Sequence, residues 1–216
     1  MGTTEGGMFG PHKGKVGNLV YYKRKGKNVV RVVGEITKAP TLKQLISRQE
    51  MSVSNKFCKS ILPFAKYGFA QQIVGTDLSQ YNVALSYTKK NALKGEYPEI
   101  GVDYEKVQLS AGPLLRADAV TAVTVPEGLK FTWHAGPELQ WPDNTDQVML
   151  LVYFPELDKT VYELFGAARS AGTDVLPISG PMQEKYFEAY IAFISADRQL
   201  VSDSVYAGNF NKPVNP

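Results

Sequence analysis

Three hydrophobic patterns follow one another along the chain. Across 15–33 apolar residues fall in short β-branched and aromatic blocks: Val16, then Leu19-Val20-Tyr21-Tyr22, then Val29-Val30 and Val32-Val33. Such side chains fit a pleated, half-buried surface. Between the blocks lies Lys23-Arg24-Lys25-Gly26-Lys27-Asn28, a polar stretch with the glycine that a hairpin loop needs. The pattern predicts a β-hairpin over 15–33. A lone hairpin is marginal in water, so it must pack on, or pair with, something else. Residues 1–14 are Gly-rich and without period, and read as a flexible arm.

The second pattern is helical. Pro40-Thr41-x-x-Gln44 resembles a capping box, in which Thr41 caps the N3 amide and Gln44 reaches back. Leu42, Leu45, Ile46, Val53, Phe57, Ile61 and Leu62 follow at near-helical spacing. Pro63 is expected to end or kink that helix. Asp77-x-x-Gln80 predicts a second start, and Lys94-Gly95 a glycine stop. The two helices are expected to lie antiparallel.

From residue 96 the period changes again. Short β-type runs recur at 106–109, 120–125, 129–134, 147–154, 160–165, 175–178, 186–194 and 199–206, separated by Gly, Pro, Asp and Asn. Many short strands with turn signals between them mark an antiparallel sandwich. Trp133 suits its core. The fold class expected is therefore α+β: an N-terminal β-hairpin and two helices, followed by an antiparallel immunoglobulin/fibronectin-III-like β-sandwich. The division expected is 1–14 flexible arm, 15–95 basic β-hairpin plus helical region, 96–210 acidic β-sandwich domain, and 211–216 tail.

Charge sharpens that division. Of the 216 residues, 1–95 hold 16 Lys and Arg against 4 Asp and Glu, whereas 96–216 hold 8 against 17. The net +3 thus hides opposed halves, and charge asymmetry of this kind points to an interaction. Either complementary patches on successive copies give a homo-oligomer or polymer, built head to tail, or the two halves of one chain neutralise each other and nothing external is implied. Nucleic acid is the alternative partner of the basic half, since basic residues interleaved with aromatics suit single strands. A solvated, edge-protecting loop is the bland alternative. The candidate interaction residues are Lys15, Tyr21, Tyr22, Lys23, Arg24, Lys25, Lys27, Arg31 and Arg48.

Catalytic motifs fail one by one. Gly10-Pro11-His12-Lys13-Gly14-Lys15-Val16 is one residue short of a phosphate loop and has Val16 where the magnesium-holding hydroxyl belongs. No Gly-x-Ser-x-Gly elbow occurs. Two histidines, His12 and His134, and the single cysteine Cys58 are too few for an ordinary zinc site or a recognisable triad. Cys58 falls in the apolar helix pattern and reads as a small buried hydrophobe. Asp143-Asn144-x-Asp146 is oxygen-rich but lacks the EF-hand spacing, and such residues form turns. Trp141 suits core or interface packing, or a sugar platform in a carbohydrate-binding or adhesive sandwich. No catalytic residue, cofactor or metal is expected. The start of the chain has no basic segment followed by an apolar core, and no run reaches the ~18 apolar residues of a membrane span. Synthesis in the cytoplasm is expected, with a virion or extracellular location after release.

Several blocks together form a recognisable pattern: Gly14-Lys15-Val16-Gly17-Asn18, Tyr22, Gly26-Lys27, Arg31, and Pro40-Thr41-x-x-Gln44-x-x-x-Arg48. Ala84-Leu85-Ser86-Tyr87, Asn91-Ala92-x-x-Gly95-x-Tyr97-Pro98, Val102-Asp103-Tyr104 and Ser202-Asp203-Ser204-Val205-Tyr206-x-Gly208 continue it. The pattern resembles an uncharacterised family of proteins of about this length, found mostly in Bacteroidota genomes and their phages. The resemblance implies no assigned activity and no site residues. It does imply a phage or mobile-element structural role.

Overall fold

The computed structural model describes residues 2–4, 10, 12–24, 26–35, 37–136 and 140–213. The chain divides into two compact units, residues 1–42 and 43–216.

In the first unit, β1 (Thr3–Thr4), β2 (His12–Val16), β3 (Leu19–Arg24) and β4 (Lys27–Val32) form one antiparallel sheet in the order β1-β2-β3-β4. The expected hairpin is thus the centre of a four-stranded meander, and it draws in part of the stretch read as an arm. The turns are also tighter than the polar run suggests. Two residues, Gly17 and Asn18, separate β2 from β3, and two positions separate β3 from β4. Gly17 and Gly26 take φ of +60° and +78° there, which two-residue hairpin turns require. Lys23, Arg24, Lys27 and Asn28, expected in a loop, consequently belong to strands.

The second unit opens with α1 (Leu42–Ser60), α2 (Leu62–Gly68) and α3 (Gln80–Asn91). The first expected helix is two, broken at Ile61, with Pro63 in the first turn of α2, where its missing N–H costs nothing. The cap of α3 is Ser79, not Asp77: its Oγ accepts from the Asn82 amide at 3.2 Å. Tyr81 donates to Asn55 at 2.7 Å and Lys89 to Ser47 at 3.2 Å, so α3 runs antiparallel to α1. Gly95 does not stop a helix. α3 ends at Asn91, and Gly95, with φ +83°, turns the ribbon of β5 (Leu93–Lys94) and β6 (Gly101–Val102).

Seven more strands follow: β7 (Thr121–Val125), β8 (Gly128–Thr132), β9 (Gln147–Phe154), β10 (Lys159–Glu163), β11 (Thr173–Pro177), β12 (Phe187–Ile194) and β13 (Val205–Phe210), with a short α4 (Gly180–Gln183) before β12. They form two antiparallel sheets, ordered β11-β8-β7 and β10-β9-β12-β13. Two expected strands differ. Residues 106–109 begin at the end of a 3₁₀ turn and form no strand, although Val107 and Leu109 are buried. The last strand begins at Val205 rather than 199, because the serines before it bond sideways. Ser202 Oγ accepts from Phe193 N at 2.9 Å, Ser204 Oγ accepts from Leu109 N at 2.8 Å, and Ser110 Oγ donates to the Ser202 carbonyl at 2.8 Å. The Ser202-Asp203-Ser204 block is therefore a clip between the 108–112 segment and the β12–β13 connection, with Asp203 accepting from Gly112 N at 3.2 Å.

Alternation along β9 and β12 builds two cores on opposite faces of one sheet. Val148, Leu150, Val152, Phe154, Phe187, Ala189, Ile191 and Phe193 meet Leu129, Phe131, Trp133 and Leu176 from the three-stranded sheet. Met149, Leu151, Tyr153, Tyr190, Ala192 and Ile194 meet Phe57, Ile61, Phe64 and Phe69 from the helices. Strands covered on both faces read as continuous apolar runs, as β9 does. The compositional boundary at Gly95 is consequently not a packing boundary, for the helices and the sheets share a core.

Candidate functional site

The sheet of residues 3–32 carries most of the candidate interaction residues. Among its described residues none is buried. Its two faces follow from the register, because directly opposite residues share a face. Lys15, Val20 and Arg31 form one row, Tyr22 and Val29 the next, and Arg24 and Lys27 the last. This face is basic. The other face holds Val16, Leu19 and Val32 in one row, Gly14, Tyr21 and Val30 in another, and Lys23 with Asn28. His12 stands edge-on to Tyr21 with ring centroids 5.2 Å apart. Val16, Val30 and Val32 on this apolar face are each more than half exposed.

The candidate interaction residues are thereby sorted. Lys15, Tyr22, Arg24, Lys27 and Arg31 share the basic face, while Tyr21 and Lys23 lie on the apolar one. Lys25 lies outside the described residues. Arg48 is exposed on α1, in the other unit. Arg24 and Lys27 are directly opposite, a like-charge pair that costs stability unless an anion lies near.

The true unit boundary also redistributes charge. Residues 1–42 hold 8 Lys and Arg against 2 Asp and Glu, and residues 43–216 hold 16 against 19. The small sheet is strongly basic for its size. The body is only mildly acidic, because the basic helices belong to it.

A few ionisable groups of the body are buried. Asp146, from the oxygen-rich 143–146 loop, turns inward to Arg169, with Oδ2 and Nη2 3.1 Å apart and both residues 3% exposed. Cys58 is buried and donates to Thr88 Oγ1 at 3.6 Å, and burial raises its thiol to about 11. Trp133 is buried as expected, its Nε1 donating to the Arg169 carbonyl at 2.7 Å. Trp141, assigned to core or interface packing, is 80% exposed, so it is not a core residue. Sequence reasoning missed an open groove of about 680 Å³ that is lined by Tyr87, Lys90, Lys106, Arg116, Asp203 and Ser204. It also missed Glu188, buried on β12 and accepting from Tyr206 Oη at 2.5 Å and from Tyr186 Oη. Burial raises the Glu188 carboxyl above its ordinary range; the two phenols, Lys212 and Lys94 oppose the rise.

That rise has a testable sign. A carboxyl raised in the folded state binds its proton more readily there than in the unfolded chain, so stability falls as pH climbs past the ordinary carboxylate value near 4. Glu188→Gln removes this contribution. Urea titrations at pH 5 and pH 8 should show a smaller decline between the two for the variant than for the parent. An unchanged or steeper decline would remove Glu188 as its source.

Among the described residues no helix is long and apolar enough to cross a membrane, and no group of three or more His, Cys, Asp or Glu is placed to hold a metal ion. Fold and surface define a mixed α+β protein: a separate antiparallel sheet of basic character, and a body in which helices cover one of two antiparallel sheets. The chain belongs to a family of unknown function, DUF6266, which matches residues 11–208. No curated protein and no solved structure matches it.

Proposed function

We propose that the protein is a non-enzymatic structural subunit that self-associates through its N-terminal sheet. The observation that carries this reading is a four-stranded sheet with no buried side chain among its described residues, three more-than-half-exposed valines on one face, and cations on the other. A sheet without a core is not stable for its own sake, and clustered apolar exposure marks a contact. In the body, the orders β11-β8-β7 and β10-β9-β12-β13, with a core between the two sheets, support the reading of a fibronectin-III-like sandwich. A filament subunit or a phage structural protein fits this combination.

The test compares the full chain with residues 43–216 by light scattering and electron microscopy. The shortened protein retains both clusters of the core and is expected to stay folded and monomeric, while the full chain forms assemblies. Assembly by the shortened protein, or a full chain that stays monomeric at every concentration, would overturn the reading. The basic face around Tyr22 favours a second reading, single-stranded nucleic-acid binding. Its signature is affinity that falls by about 0.7 log units per log of salt for each phosphate contacted.

A further inference from the structure

We propose that β4 pairs antiparallel with β4 of a second copy, about a two-fold axis at Val30. This rests on the self-association reading and names its contact.

The backbone sets the geometry. β4 is the last strand of its sheet, so one of its edges has no described strand beside it. Val33 N donates to Asn18 O at 2.7 Å, continuing the register in which Leu19 opposes Val32. In an antiparallel ladder, residues alternate between turning their amide and carbonyl toward one neighbour and turning them away. Lys27, Val29, Arg31 and Val33 therefore turn toward β3. Asn28, Val30 and Val32 turn their N–H and C=O groups outward, a free row that another strand satisfies.

Charge then selects the register. Centred on Arg31, a two-fold pairing sets that arginine against its own copy. Centred on Val29, it sets Lys27 against Arg31 of the second copy. Like charges directly opposite are unfavourable. Centred on Asn28, pairing runs past the turn at Gly26 and leaves Val32 unmatched; centred on Val32, it runs past the end of β4 and leaves Asn28 unmatched. Centred on Val30, it sets Val30 against Val30, Asn28 against Val32, Val29 against Arg31 and Lys27 against Val33. No like charges meet, all three outward residues are bonded, and the Tyr21–Val30 rows of the two sheets join in one apolar row. An isologous contact of this kind closes as a dimer.

Two strongly basic sheets are brought together, so salt acts in a definite direction. Screening of their repulsion tightens the dimer as salt rises. A basic sheet docked on an acidic body, or on nucleic acid, responds in the opposite sense.

The decisive experiment uses cysteine variants of the full chain under mild oxidation. Val29 and Arg31 of the two copies form a non-hydrogen-bonded pair with Cα atoms about 4.5 Å apart, within disulfide reach. Val29→Cys mixed with Arg31→Cys is expected to give a disulfide-linked dimer. Neither variant alone does, because like positions then stand about 8 Å apart. Cys58 is buried and stays silent. Val30→Pro removes one outward N–H while leaving the β3–β4 bonds in place, and is expected to abolish the dimer in light scattering. A dimer from Arg31→Cys alone, or association that weakens with salt and gives no mixed disulfide, overturns this contact and leaves the self-association reading standing. A full chain that is monomeric at every salt concentration overturns both.

Discussion

Arg169→Ala lowers the stability of the body by about 3–5 kcal/mol at neutral pH, the loss expected when one partner of a buried ion pair is removed. Arg169 Nη2 lies 3.1 Å from Asp146 Oδ2 and donates to the Leu115 carbonyl at 2.7 Å. Its guanidinium carbon sits 3.9 Å over the Phe193 ring. Without the arginine, Asp146 remains as a buried charge with no cation. Burial already raises its carboxyl to about 6 against the pull of Arg169, and losing Arg169 raises it further. The protonated acid needs no cation, so the damage shrinks as pH falls from the variant's higher value toward 6 and is smallest below it. Adding Asp146→Asn to Arg169→Ala should recover part of the loss at pH 8 by removing the stranded charge. Urea unfolding of the single and double variants at pH 5 and pH 8 measures all of this. A loss below 1 kcal/mol that is the same at both pH values would show that the pair does not stabilise the body.

Phe57→Ala is expected to cost about 3–5 kcal/mol, the range for a large aromatic removed from a packed core. Phe57 is 1% exposed in α1, and its ring meets Tyr153 of β9 edge-on at 5.0 Å. The informative feature is which signals move. Helical circular dichroism reports α1–α3, while Trp133 lies in the core on the far side of β9 and β12. If helices and sheets are one cooperative unit, both signals shift together to lower denaturant. A variant that melts the helices early and leaves the tryptophan transition in place would restore a domain boundary at Gly95.

Strands β7 to β12 were legible within a few residues, because β-branched and aromatic runs between turn residues leave little choice. The shared core was not. The change of charge at Gly95 marks what the surface carries, whereas packing is decided by residues such as Phe57 and Tyr153, whose contact spans 96 positions of sequence. The Asp146–Arg169 pair was hidden for the same reason: an oxygen-rich loop looks identical whether its carboxylate faces water or a buried arginine. β1 and β2 escaped because Lys13-Gly14-Lys15 is held by backbone pairing rather than by apolar side chains. The split of Lys23 from Arg24 onto opposite faces was within reach. Adjacent residues of a strand face opposite ways, so placing both in the strand is enough to part them.

The strand at the centre of the body has a consequence for the life of the protein. Residues 148–154 of β9 form a seven-residue stretch of high β-propensity with no charge and no proline, the composition of an amyloid-forming segment. In the native fold β10 and β12 occupy both its edges, and the two cores cover both its faces. Its protection is therefore collective. A lesion that loosens either layer without unfolding the rest exposes a template for fibrils rather than a harmless coil, so the body is safest when it opens all at once or not at all.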